Sequence, residues 1–159
     1  MARMQVMWAC AAALVLAGCG EDPRLEGSLI EFVDLRYRRA EALLTEEEVS
    51  VRFVSPEGSG EDTVLKVTAR LAGILFEPNT EIDLAEPVDD GGVPRGSVTR
   101  SVLTETARSF PPIGRGTLLF RSGVAGGGVT SGTFHVTFAN GTHVYSGRTV
   151  FGDFEAAVP

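Results

Sequence analysis

Few side chains in this chain of 159 residues could take part in covalent or metal chemistry. The thiols are those of two cysteines and the imidazoles those of two histidines. One thiol has a distinctive position: Cys19 ends the run Leu16-Ala17-Gly18-Cys19, directly after an apolar stretch and directly before the polar residues 20–23. This position makes Cys19 the candidate site to explain first.

The residues before Cys19 have the organisation of a cleavable export signal. Arg3 supplies a positive start, and Val6–Ala17 is apolar but too short for a spanning helix of about 20 residues. The junction resembles the lipobox of bacterial lipoproteins, in which an aliphatic residue and two small residues precede a cysteine. The resemblance implies removal of residues 1–18 as a signal peptide and acylation of Cys19 by fatty-acyl chains such as palmitate. A plain secretory signal before an unmodified cysteine is the alternative.

The anchor implied by the resemblance sets the expected domain organisation and location. Residues 19–27 are predicted to form the lipidated cysteine and a short tether, and residues 28–159 a β domain. No later stretch approaches 18 consecutive apolar residues, so the lipid at Cys19 is the predicted membrane attachment. Gly20 follows the cysteine where an aspartate would resemble an inner-membrane retention signal. The expected location is therefore the cell envelope, with the outer membrane favoured over the inner membrane.

The charge balance argues against nucleic acid as a partner. The chain has 14 basic and 21 acidic residues and a net charge of −7, whereas a nucleic-acid binder needs a basic surface. Residues 19–105 carry 19 acidic and 9 basic side chains, and residues 106–159 carry 2 and 4. Unless folding mixes the two halves, one side of the domain is acidic and favours a cationic or polar partner over anionic lipid.

Period-two alternation of apolar and polar residues dominates the chain after residue 28. The clearest alternating segments are residues 49–54, 65–71 and 134–138. Such alternation places one face of a strand in a core and the other toward water. Glycine, proline and asparagine clusters separate the segments. The pattern predicts an all-β protein with a single antiparallel β-sandwich or barrel-like domain.

Residues 37–48 give two conflicting signals. Their sequence includes Arg-Arg-Ala-Glu-Ala-Leu-Leu-Thr-Glu-Glu-Glu, which has high helix propensity. The flanking segments 29–35 and 49–54 have the composition of strands. We predict a long strand that turns near residues 45–47 into the next strand, with a short helix as the alternative.

Asn140-Gly141 is the clearest turn signal in the sequence. Both residues tolerate the positive φ that a two-residue type I′ hairpin requires. This hairpin would place His143 opposite Phe138, at the edge of the core, and Ser146 opposite His135. The two histidines would then point to opposite faces, which argues against a shared metal ion.

The other candidates for chemistry lack a matching motif. The Gly-x-Ser-x-Gly elbow of esterases is absent. The acidic loop 83–92 does not have EF-hand spacing, and the glycine-rich segment 123–132 lacks the Gly-Lys-Ser/Thr of a phosphate loop. The basic cluster of Arg36, Arg38 and Arg39 is expected to form a solvated face, with pairing to nearby acids or contact with a carboxylate-bearing partner as the alternatives. We predict no catalytic residue, no metal ligand and no cofactor, and Cys19 is the predicted site.

The C-terminal third of the chain carries a second resemblance. Residues 131–141 and 151–156 resemble the C-terminal part of small bacterial lipoproteins with a β-sandwich-type domain and no assigned function. Within this region Gly-x-Phe-x-Val at 132–136 is followed by Gly-x-Phe-x-Ala at 152–156. Two strands of similar design are therefore expected near each other.

Three functions are compatible with these patterns. The first is a lipid-anchored envelope protein whose non-enzymatic β domain binds a protein or another envelope component. The second is an envelope hydrolase or carbohydrate-active protein, which would need two carboxylates at glycosidase separation in a concave pocket. The third is a purely structural or assembly role. We predict the first, because it requires only a scaffold, an anchor and a surface, and one β fold supports many functions.

Overall fold

The computed structural model describes residues 23–57, 60–89 and 91–159, and a nine-stranded sheet dominates them. Within these ranges no helix is long and apolar enough to cross a membrane. The strands are β1 (Arg39–Leu44), β2 (Glu48–Glu57), β3 (Gly60–Arg70), β4 (Glu81–Asp83), β5 (Gly96–Ser101), β6 (Arg108–Ser109), β7 (Ile113–Phe120), β8 (Val129–Phe138) and β9 (Thr149–Ala157).

The sheet is mixed, with strand order β4-β7-β8-β9-β1-β2-β3-β5-β6. Seven neighbouring pairs are antiparallel, but β1 and β9 run parallel, with Ala40 opposite Ala156. The prediction of a β-rich fold is confirmed, and the prediction of a purely antiparallel sheet is wrong. The reason is topological. The last strand, β9, pairs with β8 on one side and returns to lie beside the first strand, β1, on the other.

The segment with conflicting signals forms β1 and a tight turn. Thr45 N–H donates to the Glu48 carbonyl oxygen at 2.8 Å, and the Thr45 hydroxyl accepts the Glu47 and Glu48 N–H groups at 3.3 and 3.0 Å. The predicted turn is confirmed, the strand before it is shorter than predicted, and the helix alternative is wrong. Strand pairing on both sides of β1 outweighs the helix propensity of its residues.

The predicted strand-like segment 29–35 adopts a different conformation. Residues Ser28–Glu31 form a 3₁₀ turn that packs against β9. Both Leu29 and Leu35 are fully buried. The turn lets two leucines that are six residues apart reach the same core, and this burial outweighs the strand preference of the segment.

Residues Pro23–Gly27 are hydrogen-bonded into the sheet region. Glu26 exchanges two backbone hydrogen bonds with Phe151 of β9, both at 3.0 Å, and the Pro23 carbonyl oxygen accepts the Tyr37 N–H at 2.9 Å. Leu25 between them is buried in the core. This short segment therefore lies beside the first part of β9, and β1 lies beside the last part of the same strand.

A single core lies on one face of the strands. The predicted alternation is confirmed in β8, whereas β2 and β3 bury Ser50, Val54 and Thr68 in addition to the apolar residues predicted to face the core. Phe53 is at the centre, and its ring lies 4.9 Å from Tyr37, 5.5 Å from Phe134 and 6.3 Å from Phe154 between centroids. The buried residues on these three strands include Val49, Val51, Phe53, Leu65, Val67, Ala69, Phe134, Val136 and Phe138.

Leu84 connects strands from opposite sides of the sheet. Its N–H donates to the Gly116 carbonyl oxygen on β7 at 2.8 Å, and its carbonyl oxygen accepts the Gly96 N–H on β5 at 2.7 Å. A Cβ at Gly96 would lie 2.6 Å from the Cβ of Leu84, so this approach requires glycine. The sheet is therefore curved enough to bring β5 and β7 to the same residue.

The predicted hairpin at Asn140-Gly141 is wrong. Thr137 of β8 lies opposite Thr149 of β9, so the whole segment 139–148 forms the connection. Neither Asn140 nor Gly141 has the positive φ of a type I′ turn, and the positive φ in this loop belongs to Gly147, at 70°. The register therefore differs from the one that a two-residue turn would impose.

Burial of Tyr145 explains the longer loop. Tyr145 is 5% exposed, and its ring lies 5.0 Å from Phe110 and 5.9 Å from Phe32 between centroids. Its hydroxyl accepts a hydrogen bond from the Arg108 guanidinium. The loop places this aromatic ring over one end of the core, and that burial outweighs the local preference for a tight turn.

Candidate functional site

The predicted lipidation site, Cys19, lies outside the described residues. The nearest described residue is Pro23, which is tied to Tyr37 by the hydrogen bond given above. Four residue steps separate Cys19 from Pro23, and a chain of that length spans at most about 13–14 Å. A lipid on Cys19 would therefore keep the folded domain close to the bilayer surface.

The two histidines are both exposed and lie on different elements. His135 on β8 is opposite Phe151 on β9, with ring centroids 5.8 Å apart in a stacked arrangement. The predicted pairing of His135 with Ser146 is wrong because the strand register is different. His143 is exposed rather than partly covered at the edge of the core, and its Nδ1 accepts the Tyr145 N–H at 3.3 Å.

The carboxylates of the acidic loop shape its backbone. Asp83 and Asp89 each accept the backbone N–H of the residue two positions later, at 2.9 and 3.1 Å. Glu86 forms an ion pair with the buried Arg95 at 2.8 Å. Asp90 lies outside the described residues. In the described part of the chain, no group of three or more His, Cys, Asp and Glu side chains is arranged to hold a metal ion.

The basic cluster within residues 36–39 lies next to acidic side chains. Arg36 donates to both carboxylate oxygens of Asp34, and Arg39 binds Glu41 and Glu61. The hydrogen bond from the Arg36 side chain is the main reason that the pKa of Asp34 falls from 3.8 to about 2. Pairing with nearby acids, an alternative to the predicted solvated face, is therefore observed for these two arginines.

Sequence reasoning missed a buried charged cluster around Arg100. Arg100 is 5% exposed and donates to both carboxylate oxygens of Glu105, at 3.2 and 3.1 Å. Its Nη1 also donates to the carbonyl oxygens of Asp34 and Val64, at 2.9 and 3.0 Å. The Arg100 hydrogen bonds hold the pKa of Glu105 below its ordinary value. The alternation of β5 offered one signal, since Arg100 shares a strand face with Val98.

A second charged cluster lies on the outer face of β1 and β2. Glu41 binds Arg39 and Arg52, and Glu61 also binds Arg39. Burial raises the pKa of Glu41, but the hydrogen bonds from Arg52 and Arg39 together lower it below the ordinary value. The carboxylate is therefore ionised at neutral pH. It borders an open depression of about 480 Å³ that also contains Leu43.

A second depression, of about 530 Å³, covers the outer face of β8 and β9. Arg24, His135, Phe151 and Asp153 line it. Asp153 is paired with Arg121 at 3.2 Å, with both side chains at least half exposed. This depression has a polar border around the stacked rings of His135 and Phe151.

The two halves of the chain, which differ in charge, stay largely separate in the sheet. Strands β7, β8 and β9 from the basic half are contiguous, and so are β1, β2, β3 and β5 from the acidic half. The two blocks meet where β9 lies beside β1, and the short strands β4 and β6 also lie beside strands of the other half. The acidic residues are therefore concentrated on one side of the sheet order, as the sequence predicts.

Comparisons of the chain with protein-family models, with curated proteins and with solved structures found no match.

Proposed function

We propose that the protein is a lipid-anchored protein of the cell envelope whose β domain binds a protein or another envelope component without catalysing a reaction. The observation that carries the proposal is the junction Leu16-Ala17-Gly18-Cys19. Four residues later, at Pro23, the chain is already hydrogen-bonded to the sheet region. An acylated cysteine so close to a folded domain would act as a short membrane anchor.

The ionisation of the clustered carboxylates supports binding over catalysis. Glu41, Glu105 and Asp34 all have pKa values lowered by arginines. A general acid at neutral pH needs a raised pKa, so these paired carboxylates are poorly suited to donate protons. They are suited to hold a stable, charged surface. The concentration of acidic residues on one side of the sheet supports a cationic or polar partner.

The curvature of the sheet supports a barrel-like shape for this domain. Leu84 is hydrogen-bonded to both β5 and β7, and Phe110 after β6 stacks on Phe138 of β8 at 5.1 Å. Both contacts join strands that are distant in the sheet order. A closed, rigid scaffold of this kind would present its outer face and its loops to a partner.

Intact-mass measurement of the protein extracted from its native membranes tests the anchor. We expect loss of residues 1–18 and a mass increase from acyl chains on Cys19. Cys19→Ser should accumulate as uncleaved or mislocalised protein, whereas the matched control Cys10→Ser should be processed normally. An N-terminus at another residue, with an unmodified Cys19 thiol, would contradict the proposal.

Membrane fractionation and affinity purification test the location and the binding role. The protein should fractionate with outer-membrane markers, and fractionation with inner-membrane markers would reverse that assignment. Purification of the anchored protein from native membranes should recover a partner in stoichiometric amount, and the Cys19→Ser protein should recover less of it. Turnover of an envelope substrate by the purified protein would contradict the non-enzymatic role.

A further inference from the structure

The path of the first described residues points toward one end of the sheet. Two antiparallel bridges hold this segment, Arg24 with Arg36 and Glu26 with Phe151. Traced backwards to Pro23, the chain therefore runs in the same direction as β1 and β9. Beyond Pro23 its place in the sheet is taken, because β1 pairs directly with β9. At Pro23 the described chain, traced backwards, therefore points toward the C-terminal ends of β1 and β9.

That end of the sheet carries a row of exposed aliphatic side chains. We call it the Leu44 end; β1, β3 and β9 finish there, and β2 and β8 begin there. Its turn at residues 45–47 is joined to the segment after β3 by a hydrogen bond from Leu71 N–H to the Glu47 carbonyl oxygen at 2.7 Å. The exposed aliphatic residues are Leu43 at 47%, Leu44 at 36%, Ile74 at 36%, Leu75 at 80% and Val129 at 63% exposure.

The charges at the Leu44 end are mostly acidic. Glu46, Glu47 and Glu77 are exposed there, and the nearby Arg121 is paired with Asp153. Carboxylates are repelled by anionic lipids and attracted by the ammonium groups of zwitterionic lipids. Exposed aliphatic side chains between carboxylates therefore fit a surface rich in phosphatidylethanolamine better than a surface rich in phosphatidylglycerol.

The opposite end also exposes apolar side chains, but the chain path leads away from it. We call this the Phe32 end; it contains Ile30, Phe32, Leu103 and Val144, which are 37%, 38%, 72% and 58% exposed. The Arg148 guanidinium lies over the Phe32 ring at 4.5 Å and pairs with Glu31 at 3.0 Å. This ring is therefore already covered in part by the protein's own cation.

We propose that the Leu44 end faces the bilayer that holds Cys19, with Leu43, Leu44, Leu75 and their neighbours in contact with a zwitterionic headgroup surface. The inference rests on the proposed acylation of Cys19 and adds the orientation of the domain. Leu43 is six residues beyond Tyr37, the partner of Pro23, so it lies about 20 Å along the sheet. The tether from Pro23 to Cys19 spans at most about 13–14 Å, which is less than this distance. A tether that continues in this direction would therefore hold the Leu44 end against the headgroups.

Tryptophan fluorescence gives a direct test, because Trp8 is the chain's one tryptophan. In the full chain with Trp8→Phe, one variant carries Leu43→Trp and a second carries Phe32→Trp. Each protein is expressed in its native host, extracted from membranes, checked by intact mass for acylation, and reconstituted into vesicles of phosphatidylethanolamine and phosphatidylcholine with brominated acyl chains. Circular dichroism confirms that both variants are folded.

We expect the bromine atoms to quench Leu43→Trp several-fold more than Phe32→Trp and the emission of Leu43→Trp to shift to the blue. A Leu75→Trp variant should behave like Leu43→Trp. Replacing the phosphatidylethanolamine with phosphatidylglycerol should reduce the quenching of Leu43→Trp. Equal or stronger quenching of Phe32→Trp, or no quenching of any variant in an acylated protein, would overturn the orientation alone. An unacylated Cys19 would overturn the anchor itself, together with the orientation.

Discussion

The two ends of the sheet are closed in different ways. At the Phe32 end, long segments fold over the core, and Tyr145, Phe110 and Arg100 fill the space with aromatic stacking and buried hydrogen bonds. At the Leu44 end, the turns are bordered by exposed aliphatic residues such as Leu75. The difference predicts that truncating the buried side chains of the Phe32 end costs more stability than truncating the exposed side chains of the Leu44 end.

The largest expected difference between the two ends comes from apolar truncation. Phe138 is 1% exposed and stacks on Phe110, so Phe138→Ala should lower the free energy of unfolding by about 3–5 kcal/mol. Leu75→Ala, at 80% exposure, should change it by less than about 0.5 kcal/mol. Urea unfolding followed by circular dichroism measures both. Similar losses for the two variants would remove the contrast between the ends.

Removing the buried guanidinium should have the next largest effect. Arg100→Met leaves two carbonyl oxygens and the Glu105 carboxylate without their donor, and we expect a loss of about 2–4 kcal/mol in unfolding free energy. The matched control is Arg121→Met, because the Arg121 side chain is 50% exposed and pairs with an exposed carboxylate. That variant should lose less than about 1 kcal/mol. An equally small loss for Arg100→Met would show that this cluster does not stabilise the Phe32 end.

Lowering the pH should destabilise the Phe32 end, because protonation of Glu105 and Asp34 removes their interactions with arginines. Glu105 has a pKa below its ordinary 4.5, so its contribution to stability is fully present above that value and is lost as pH falls through the lowered value. Asp34, with a pKa of about 2 against 3.8, extends the loss to still lower pH. Unfolding free energy measured from pH 7 to pH 2 should therefore fall less steeply in Glu105→Gln than in the parent protein. Identical pH profiles would contradict a role for the Arg100–Glu105 pair.

The smallest effect is expected from the exposed histidines. The double variant His135→Ala, His143→Ala should lose less than about 1 kcal/mol of unfolding free energy, since neither ring is buried. It should also retain the partner recovered with the parent protein. A folded double variant that no longer recovers the partner would instead place a binding site near these two rings.

Much of the strand pattern could be predicted from the sequence because it depends on local alternation. The alternating segment in β8 buries every second residue as expected, and β2 and β3 bury the expected apolar residues together with Ser50, Val54 and Thr68. The similar strands at 132–136 and 152–156 are indeed neighbours. Gly132 lies opposite Phe154 and Phe134 opposite Gly152, so each glycine faces a phenylalanine across the pair. The lipobox-like junction at Cys19 is also a local pattern, and acylation there stays a prediction.

The sequence by itself therefore determined the period of the strands, the turn at residues 45–47 and the uneven charge of the two halves. Only the tertiary structure decided the parallel pairing of β1 with β9, the burial of Arg100 and the loop that replaces the hairpin at Asn140-Gly141. The physical reason is the size of the competing terms. A local strand preference spans about 1 kcal/mol, whereas burial of a large apolar side chain contributes about 1.5–3 kcal/mol. Contacts between distant residues, such as Tyr145 with Phe110, therefore override local preference wherever the two disagree.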